Sequence, residues 1–340
     1  MKRRALGATG LAVTELGFGG APLGNLFRPL ADDAARATLA AARASGFGYF
    51  DTAPFYGFGL SERRLGDSLR RDARRGSAFV ISSKVGRVLD PVTGPVSENE
   101  VRHGYATPMP FAPVFDYSYD AVMRSYEESL QRLGLAHIDL LYIHDIGRMT
   151  HGDENAFHMA ALTTGGGLKA LEELRTGGAI AGFGMGVNEV AACLEVMTHA
   201  RLDAILLAGR YTLLEQAPLD ALFPACAAAG TAIVIGGPFN SGILATGAKA
   251  GATFNYEAAP PGIIARVAAI EAICAAHGVP LPAAALQFPL AHPLVASVIP
   301  GLDSPQRVEQ ALALYRHPIP VALWEELKAK NLLRRDAPTP

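Results

Sequence analysis

The sequence is poor in cysteine, nearly neutral and free of any export signal at its start, and each of these absences excludes a class of protein. Its 340 residues contain three cysteines, Cys193, Cys226 and Cys274, which lie far apart and show no metal-ligand spacing. This pattern favours buried thiols in a reducing compartment over a disulfide framework. The formal net charge of −2, with hydrophobic residues at 50%, gives no reason to expect a nucleic acid or an acidic membrane surface as a partner.

Two segments look at first like membrane signals. The basic residues 1–4 are followed by a run that Gly7, Gly10 and Glu15 interrupt, so no apolar core of an export signal forms. Residues 221–248 carry no charge over a length that would span a bilayer, but prolines and glycines divide them into helix, turn, strand and loop. We therefore expect a cytoplasmic protein without a membrane-spanning segment.

Short apolar runs alternate with amphipathic helical stretches along the whole chain. Several of the runs are continuous Val, Ile and Leu, as expected for strands that are buried on both faces. Eight strands, each followed by helix, predict a single (β/α)8 barrel domain over residues 1–340. The predicted strands are 15–19, 49–51, 79–84, 138–144, 180–187, 204–208, 232–235 and 295–299.

Caps and breakers locate the helices between these strands. The sequence predicts a helix capped by Ser61, a helix over residues 119–133 that ends at Gly134, and a helix that begins at Ser304-Pro305. The Arg-rich patch at residues 70–75 includes an aspartate, which favours a solvated helix end over a site for a polyanion.

Three segments lie outside the strand–helix repeat. Residues 1–14 predict a hairpin that plugs the bottom of the barrel, and residues 318–340 form a C-terminal tail with a helix. Residues 85–117 form a long connection rich in Pro and Gly, and loops of this length are usually functional or disordered. This connection either covers the pocket, offering Arg87, His103 and Tyr105, or wraps the barrel without touching a substrate.

Polar residues stand at the ends of three successive predicted strands. Asp51, Lys84 and His144 end strands two, three and four, and Tyr56 follows Asp51 in a turn rich in Gly and Pro. Because barrel enzymes carry their reactive residues at the C-terminal ends of strands, we expect these four side chains to converge at one rim. Each alone has a structural explanation, such as a turn cap for Asp51 or a salt-bridged lysine for Lys84, but the combination favours catalysis.

These groups suit proton transfer beside a carbonyl or an alcohol. A free phenol has a pKa of about 10, and we expect an adjacent ammonium to lower the pKa of Tyr56. Asp51 would hold Lys84 charged, and His144 would orient the substrate oxygen. A protein supplies no hydride of its own, so a nicotinamide cofactor is implied. No nucleophile elbow, phosphate-binding glycine loop or metal-ligand cluster competes with this interpretation, and no metal is expected.

The chain resembles the aldo-keto reductase superfamily over nearly its whole length. Asp51, Tyr56, Lys84 and His144 match the catalytic tetrad of this family residue by residue, and residues 133–140 match its stretch before strand four. The resemblance implies a barrel that binds a nicotinamide cofactor at the strand ends.

A narrower resemblance points to one branch of the family. Residues 144–146, 207–216 and 239–242 are similar to those of aldose 1-dehydrogenases. This branch includes L-fucose and D-threo-aldose dehydrogenases, with pyridoxal 4-dehydrogenase and L-galactose dehydrogenase as relatives. It implies oxidation of a cyclic hemiacetal to a lactone with NAD(P).

The resemblance also implies where the cofactor would lie. The strand-five asparagine of the family holds the nicotinamide carboxamide, the loop after strand seven folds over the pyrophosphate, and residues after strand eight bind the adenosine phosphates. The residues thereby expected to contact the cofactor are Asn188, Arg210, Gly237, Pro238, Asn240, Ser241, Gly242, Leu244, Gly301 and Arg307.

The chain departs from the family at positions that bear on the cofactor. Many members carry Gln where this chain has Ala208, and a stacking tyrosine where it has Gly236. Several NADP-specific members carry Lys at the position of Gly301, and Asp303 would repel a 2′-phosphate. The sequence therefore favours NAD, while Arg307 keeps NADP open.

From the resemblance we expect an NAD(P)-dependent dehydrogenase that oxidises the hemiacetal of an L-fucose, D-threo-aldose or L-galactose type sugar. Tyr56 would take the proton, and Phe55, Tyr56 and His144 would contact the substrate. The alternatives are a pyridoxal 4-dehydrogenase, an NADPH-dependent aldehyde or ketone reductase and, from a different class, a cofactor-sensing regulatory subunit. The expected partner is a small sugar-like or pyridoxal-like molecule, and a homodimer is one candidate assembly.

Overall fold

The computed structural model describes residues 1–73, 79–95, 97 and 99–340, without the side chains of residues 71–73. The basic patch predicted as a solvated helix end at residues 70–75 falls largely outside the described residues. Only Arg70 of that patch has a described side chain, which pairs with Asp67 at 3.2 Å.

Sixteen strands occur in the described part of the chain, and eight of them form one sheet. In chain order they are β1 (Arg3–Ala5), β2 (Ala12–Thr14), β3 (Phe18–Gly19), β4 (Tyr49–Asp51), β5 (Val80–Val85), β6 (Arg87–Pro91), β7 (Val101–Arg102), β8 (Tyr105–Ala106), β9 (Phe111–Phe115), β10 (Leu140–His144), β11 (Gly182–Val187), β12 (Ala204–Ala208), β13 (Ala232–Gly236), β14 (Thr253–Phe254), β15 (Glu257–Ala258) and β16 (Val295–Ile299).

Thirteen α-helices in the same described residues surround the sheet or lie in its connections. They are α1 (Asp32–Ala44), α2 (Leu60–Ala73), α3 (Tyr119–Leu133), α4 (Arg148–His151), α5 (Asn155–Leu162), α6 (Gly167–Thr176), α7 (Val190–Met197), α8 (Leu222–Ala229), α9 (Ile243–Thr246), α10 (Pro261–Ala276), α11 (Leu281–Gln287), α12 (Pro305–Arg316) and α13 (Val321–Ala329).

The eight-stranded sheet closes on itself. Strands β3, β4, β5, β10, β11, β12, β13 and β16 are neighbours in chain order, and all their pairings are parallel. The two ends of the sheet meet where Leu16 bridges Val298 and Gly19 bridges Gly301, both in parallel. The predicted (β/α)8 barrel is therefore confirmed. Its first strand is shorter than the predicted 15–19, because only β3 pairs regularly with β4.

Both faces of the barrel strands are buried, which explains their uninterrupted apolar runs. In β10, Leu140 and Tyr142 belong to the cluster that fills the barrel, whereas Leu141 and Ile143 pack with the residues of the surrounding helices. A charged or polar residue at the end of such a strand breaks this pattern and needs a partner or a function.

The N-terminal hairpin closes one end of the barrel, as predicted. β1 and β2 pair antiparallel, and Leu6 and Val13 join the interior cluster with no exposed surface. Gly7 has φ +55°, and a Cβ there would lie 2.3 Å from the carbonyl oxygen of Asp203. A larger residue would hold the hairpin away from the barrel.

The long connection over residues 85–117 contains regular structure that the sequence did not predict. β6 pairs antiparallel with β9, and β7 pairs antiparallel with β8. Tyr105 of β8 is buried against Phe58, so this hairpin packs onto the turn that carries Tyr56. The described residues of this segment form a folded cover at the rim of the barrel, which we call the rim cover.

The predicted cap of α2 is wrong. The helix begins at Leu60, and the hydroxyl of Ser61 donates to the carbonyl of Gly20 at 2.7 Å and bonds the hydroxyl of Thr52 at 2.8 Å. Ser61 therefore ties the helix to the barrel rim instead of satisfying a helix amide. The other two helix predictions hold: α3 ends before Gly134 at φ +62°, and the hydroxyl of Ser304 accepts from an amide of α12.

All three cysteines are buried as free thiols, as the sequence predicted. Burial raises the pKa of Cys226 to about 12 and that of Cys274 to about 11. Within the described residues, no group of three or more His, Cys, Asp or Glu could hold a metal ion. In the same residues no single helix is long and apolar enough for a bilayer, and one pair that passes together, α10 with Leu281–Ala291, is bent by 100°.

Candidate active site

Three neighbouring strands bring the predicted catalytic residues to one rim. β4 pairs with β5, and β5 pairs with β10. Asp51 ends β4 and His144 ends β10, while Lys84 is followed in β5 by one further residue, Val85. Because the strands are parallel and in register, their C-terminal ends lie side by side at the mouth of the barrel.

Lys84 and Asp51 form a buried ion pair. The Lys84 ammonium donates to Oδ2 of Asp51 at 2.7 Å and to the carbonyl of Thr52 at 2.8 Å, and both side chains are at most 3% exposed. Burial lowers the pKa of Lys84 and raises the pKa of Asp51, whereas their mutual attraction opposes both shifts. The pair is stabilised as an ion pair by these short contacts, since an unpaired charge would be costly here.

Buried hydroxyl groups support the carboxylate of this pair. Ser82 donates to Oδ1 of Asp51 at 2.7 Å. The hydroxyl of Tyr49 lies 3.1 Å from that of Ser82 and 3.0 Å from that of Tyr142. These three supporting residues are not marked in the sequence, because a polar residue that alternates with apolar ones inside a strand carries no sign of its partners.

Tyr56 lies against the ammonium of Lys84. The nitrogen is 4.6 Å from the centroid of the phenol ring, and the hydroxyl of Tyr56 has no hydrogen-bond partner among the residues that the structure describes. The turn is tight: Gly57 has φ +65°, and a Cβ there would lie 2.4 Å from the carbonyl oxygen of Gly24. The turn thus fixes the phenol while leaving its hydroxyl free.

The expectation that Lys84 lowers the pKa of Tyr56 is wrong for this structure. Burial raises the pKa of Tyr56 well above its usual value, and the negative charge of Asp51 adds to the shift. The main physical reason is burial, which penalises the charged phenolate, and the Lys84 ammonium that would favour the phenolate is paired with Asp51 at 2.7 Å. At neutral pH Tyr56 is therefore a neutral phenol that can donate a proton.

His144 is a neutral imidazole. Burial, followed by the positive charges of Arg87 and Lys84, lowers its pKa well below the usual value. Its Nδ1 is buried without a partner in the described residues, and its ring lies edge-on to Tyr56 at 5.8 Å between centroids. The hydroxyl of Tyr117 donates to its backbone carbonyl at 2.8 Å and fixes the strand end. A neutral imidazole beside a free phenol can hydrogen-bond a substrate oxygen.

A cavity of about 360 Å³ opens above these groups and is lined by Tyr56, Lys84 and His144. Asp51 lies behind Lys84 and does not line it. The walls are rich in rings, and the aromatic and imidazole side chains among them are Phe27, Phe55, Tyr56, His103, Tyr105, His144 and Tyr256. Sequence reasoning missed Phe27 and Tyr256, both of which lie in loops at positive φ, because no pattern marks a loop aromatic as facing a cavity.

Most of the predicted cofactor residues line one of three cavities. Asn188 lines both the main cavity and a small adjoining cleft, where Arg210, Gly237, Asn240 and Ser241 also lie. Gly242, Gly301 and Arg307 line a second cavity of about 710 Å³, which shares Phe27 with the first.

The residues of these cavities fit an extended dinucleotide with its reactive ring at Tyr56 and His144. Tyr56 and His144 line the main cavity, where the hydroxyl of Tyr56 and Nδ1 of His144 have no partner among the described residues, and Arg307 lines the second cavity.

Three of the predicted cofactor residues have other contacts. The side chain of Leu244 is completely buried in the apolar core and lines none of these cavities, so a cofactor contact by this residue stays a prediction. The side-chain amide of Asn240 is used inside the protein, where it donates to Gly209 at 3.0 Å and accepts from Thr212. Arg210 donates to the carbonyl of Asn188 at 2.8 Å and to Oδ1 of Asn255 at 2.8 Å.

Comparison with known proteins identifies the family. The family model described as "Aldo/keto reductase family" matches residues 15–332. The chain belongs to the aldo/keto reductase family. It is an NAD(P)-dependent oxidoreductase that acts on CH–OH groups, and relatives named as pyridoxal, D-threo-aldose and L-galactose dehydrogenases match it along most of its length, as the predicted branch requires.

Two relatives and one solved structure illustrate this placement. The chain is 47% identical to pyridoxal 4-dehydrogenase of Microbacterium luteolum over 340 residues, which cover 98% of each chain. It is 41% identical to D-threo-aldose 1-dehydrogenase of a Pseudomonas species, over 99% of this chain and 98% of that one. The solved aldo-keto reductase AKR11C1 of Bacillus halodurans in its holo form aligns with a TM-score of 0.73 at 25% identity, covering 98% of this chain and 97% of that one.

Proposed function

We propose that this aldo/keto reductase oxidises the cyclic hemiacetal of pyridoxal, or of a closely similar aromatic hydroxyaldehyde, to the lactone with NAD. The observation that carries the proposal is the ring-lined cavity above Tyr56, with Phe27, Phe55, Tyr105 and Tyr256 on its walls. Aromatic walls offer stacking and edge-to-face contacts to a flat pyridine ring. A sugar ring offers the same walls a C–H face without π electrons, and it carries more hydroxyl groups that need hydrogen-bond partners.

The catalytic roles follow from the contacts of each residue. Oxidation removes a hydride from the hemiacetal carbon and a proton from its hydroxyl, so a new C=O bond forms. Tyr56 takes the proton as phenolate, and the neutral imidazole of His144 donates a hydrogen bond that orients the reacting oxygen. Lys84, held by Asp51, lies 4.6 Å from the phenol ring. An oxidised nicotinamide cofactor, when bound, would supply the hydride acceptor for this reaction.

The residues that would bind the cofactor line the three cavities or belong to the loop after β13. Asn188 lies next to the catalytic groups, Gly237, Pro238 and Ser241 belong to the loop after β13, and the residues around Gly301 form the adenosine end. NAD is favoured over NADP because Asp303 lines the second cavity, where its negative charge would oppose a 2′-phosphate.

A sugar hemiacetal is the second candidate. The cavity also contains the polar side chains of His103, Asp145 and Asn188, which would hydrogen-bond the hydroxyl groups of a sugar. The 41% identity to D-threo-aldose 1-dehydrogenase over 99% of the chain supports this candidate. An NADPH-dependent reductase of simple aldehydes would need no such polar groups.

A substrate panel tests the proposal. Initial rates of NADH formation are measured with pyridoxal, L-fucose and L-galactose, and NADPH consumption is measured with a simple aldehyde. We expect kcat/KM with pyridoxal and NAD to exceed that of the other pairs by about tenfold or more, since one well-made aromatic or hydrogen-bonding contact is worth that factor. A higher value for either sugar would favour the second candidate. Oxidation of none of the three hemiacetals would refute both.

A further inference from the structure

We propose that Asp145 determines substrate specificity by accepting a hydrogen bond from a second polar group of the hemiacetal, and that Arg87 is the residue that positions its carboxylate. The inference rests on the proposed oxidation of a hemiacetal and adds the residue that recognises the part of the substrate that does not react.

The backbone fixes Asp145 at the cavity wall. It follows the strand-end residue His144, and its amide donates to the carbonyl of Gly186 at 3.0 Å. Its φ of +45° lies in the left-handed region, which Asp tolerates better than most residues. The side chain lines the main cavity and is 25% exposed, so it faces the space that a substrate would fill.

Arg87 holds one oxygen of this carboxylate and leaves the other free. The Arg87 guanidinium donates to Oδ2 of Asp145, and its side chain is 8% exposed. Oδ2 is also the oxygen that lies 3.5 Å from Nε2 of His144. In the described residues, Oδ1 of Asp145 has no hydrogen-bond partner. It is also not one of the unpartnered polar atoms that are fully buried. One oxygen of an oriented carboxylate therefore remains available as an acceptor.

Aromatic rings prevent Arg87 from moving with the substrate. Its guanidinium carbon lies 4.0 Å from the ring centroid of Phe55 and 4.9 Å from that of Phe115, so two faces contact it. Its Nε is buried and has no partner within the described part of the chain, so the guanidinium is held by Asp145 and the two rings. The ion pair between Arg87 and Asp145 connects β6 of the rim cover with the end of β10.

The free oxygen of Asp145 suits a hydrogen-bond donor on the substrate. A carboxylate acceptor beside the imidazole that orients the reacting oxygen will bind a hydroxyl, or a protonated ring nitrogen, close to the reacting carbon. Pyridoxal carries a phenolic hydroxyl on the ring carbon that is two bonds from its hemiacetal carbon. An aldose carries a hydroxyl on the carbon next to its hemiacetal carbon. A simple aldehyde carries neither, so it would gain nothing from Asp145.

A pair of substrates separates recognition of the substrate by Asp145 from a structural effect of replacing this residue. The cyclic hemiacetal of 2-(hydroxymethyl)benzaldehyde has the fused rings of pyridoxal hemiacetal but lacks the hydroxyl and the ring nitrogen. We expect the wild-type protein to prefer pyridoxal, and Asp145→Asn to lower this preference about 10- to 100-fold, the range for a hydrogen bond to a charged group. The lower preference should come mainly from a higher KM for pyridoxal. The KM of the hemiacetal of 2-(hydroxymethyl)benzaldehyde should stay unchanged. If pyridoxal is not turned over, L-fucose and 2-deoxy-L-fucose form the equivalent pair.

Control variants isolate the charge at the cavity. Asp90 is also paired with an arginine, Arg124, and lies on the same strand as Arg87 but outside the cavity, so Asp90→Asn should leave the preference unchanged. Arg87→Lys should retain part of the preference and Arg87→Met should lose most of it. If Asp145→Asn fails to fold because Arg87 is left unpaired, the double variant Arg87→Met/Asp145→Asn removes both charges and should show the same loss.

The outcomes distinguish the two proposals. Preference for pyridoxal that survives in Asp145→Asn overturns the role of Asp145 while the hemiacetal oxidation stands. Equal loss of turnover with both substrates also overturns it, because that result indicates a structural role for the ion pair. Failure of the wild-type protein to oxidise any of these hemiacetals refutes the proposed function itself, and the role of Asp145 falls with it.

Discussion

Lys84 and Asp51 are separated by 33 positions in the sequence, and their side chains meet at 2.7 Å inside the barrel with almost no exposure to solvent. Removing one partner of such a pair leaves an uncompensated buried charge. We expect Lys84→Met to lower the free energy of unfolding by about 3–5 kcal/mol. Chemical denaturation monitored by circular dichroism would measure this change. The double variant Asp51→Asn/Lys84→Met should recover part of the loss, and an equally unstable double variant would contradict the coupling.

Tyr56→Phe tests the proton-transfer role. The ring would keep its contacts with Lys84 and His144, so stability and the Kd of NAD should stay close to wild type. Turnover of the hemiacetal should fall about 10²-fold or more, the usual contribution of a positioned proton-transfer group. Tyr105→Phe is a suitable control, since Tyr105 lines the same cavity and is buried. Near-normal turnover in Tyr56→Phe would remove the phenol from the mechanism.

The pH dependence of turnover should differ between the two directions, with oxidation rising and reduction staying level below about pH 9. Burial and Asp51 raise the pKa of Tyr56, so at neutral pH most molecules carry the protonated phenol. Oxidation requires the phenolate, and its rate should rise with pH by up to about tenfold per unit between about pH 6 and about pH 9. Reduction requires the phenol and should not rise over this range. An oxidation rate that is independent of pH would show that another step or another base limits it.

Asp303 is expected to set the preference between the two nicotinamide cofactors. It lines the second cavity and accepts a hydrogen bond from Arg28, whose side chain is 69% exposed. Asp303→Ser removes a negative charge and releases Arg28 for a phosphate. We expect the Kd of NADP to fall about tenfold, which corresponds to about 1.4 kcal/mol, and the Kd of NAD to stay nearly constant.

Isothermal titration with each cofactor would measure this change. Asp33→Asn, an exposed aspartate paired with Arg36, is the matched control. Because an exposed ion pair contributes little to stability, the melting temperature of Asp303→Ser should not move. An unchanged Kd of NADP would show that neither Asp303 nor Arg28 reaches the phosphate.

Gly66 should tolerate no side chain. A Cβ at this position of α2 would lie 1.9 Å from the carbonyl oxygen of Leu133, where α3 ends. Gly66→Ala should therefore lower the free energy of unfolding by about 1–3 kcal/mol, although alanine favours helices. Gly262→Ala is the control: it lies in α10 with no atom within 4 Å of the added Cβ, and it should be neutral or stabilising. Equal stability of the two variants would contradict the close packing of α2 on α3.

Much of the barrel could be predicted because its rules are local. Strands buried on both faces need continuous apolar runs, helices end at glycine, and the two patterns alternate along the chain. The same rules failed where a tertiary partner replaced a local one. Ser61 has the residue type of a helix cap, but Gly20 and Thr52 take its hydrogen bonds. In the rim cover, β6 and β9 pair residues that are 20 to 28 positions apart, such as Pro91 with Phe111 and Arg87 with Phe115.

The sequence by itself determined the barrel and the convergence of Asp51, Lys84 and His144, because strand order and strand ends are written in local apolar patterns. Only the tertiary structure decided the state of the groups that meet there. The protonation of Tyr56 depends on burial and on how closely Asp51 compensates Lys84, and the position of Asp145 depends on a guanidinium held between two rings from elsewhere in the chain. These are distances and degrees of solvent exposure, which no spacing along the chain specifies.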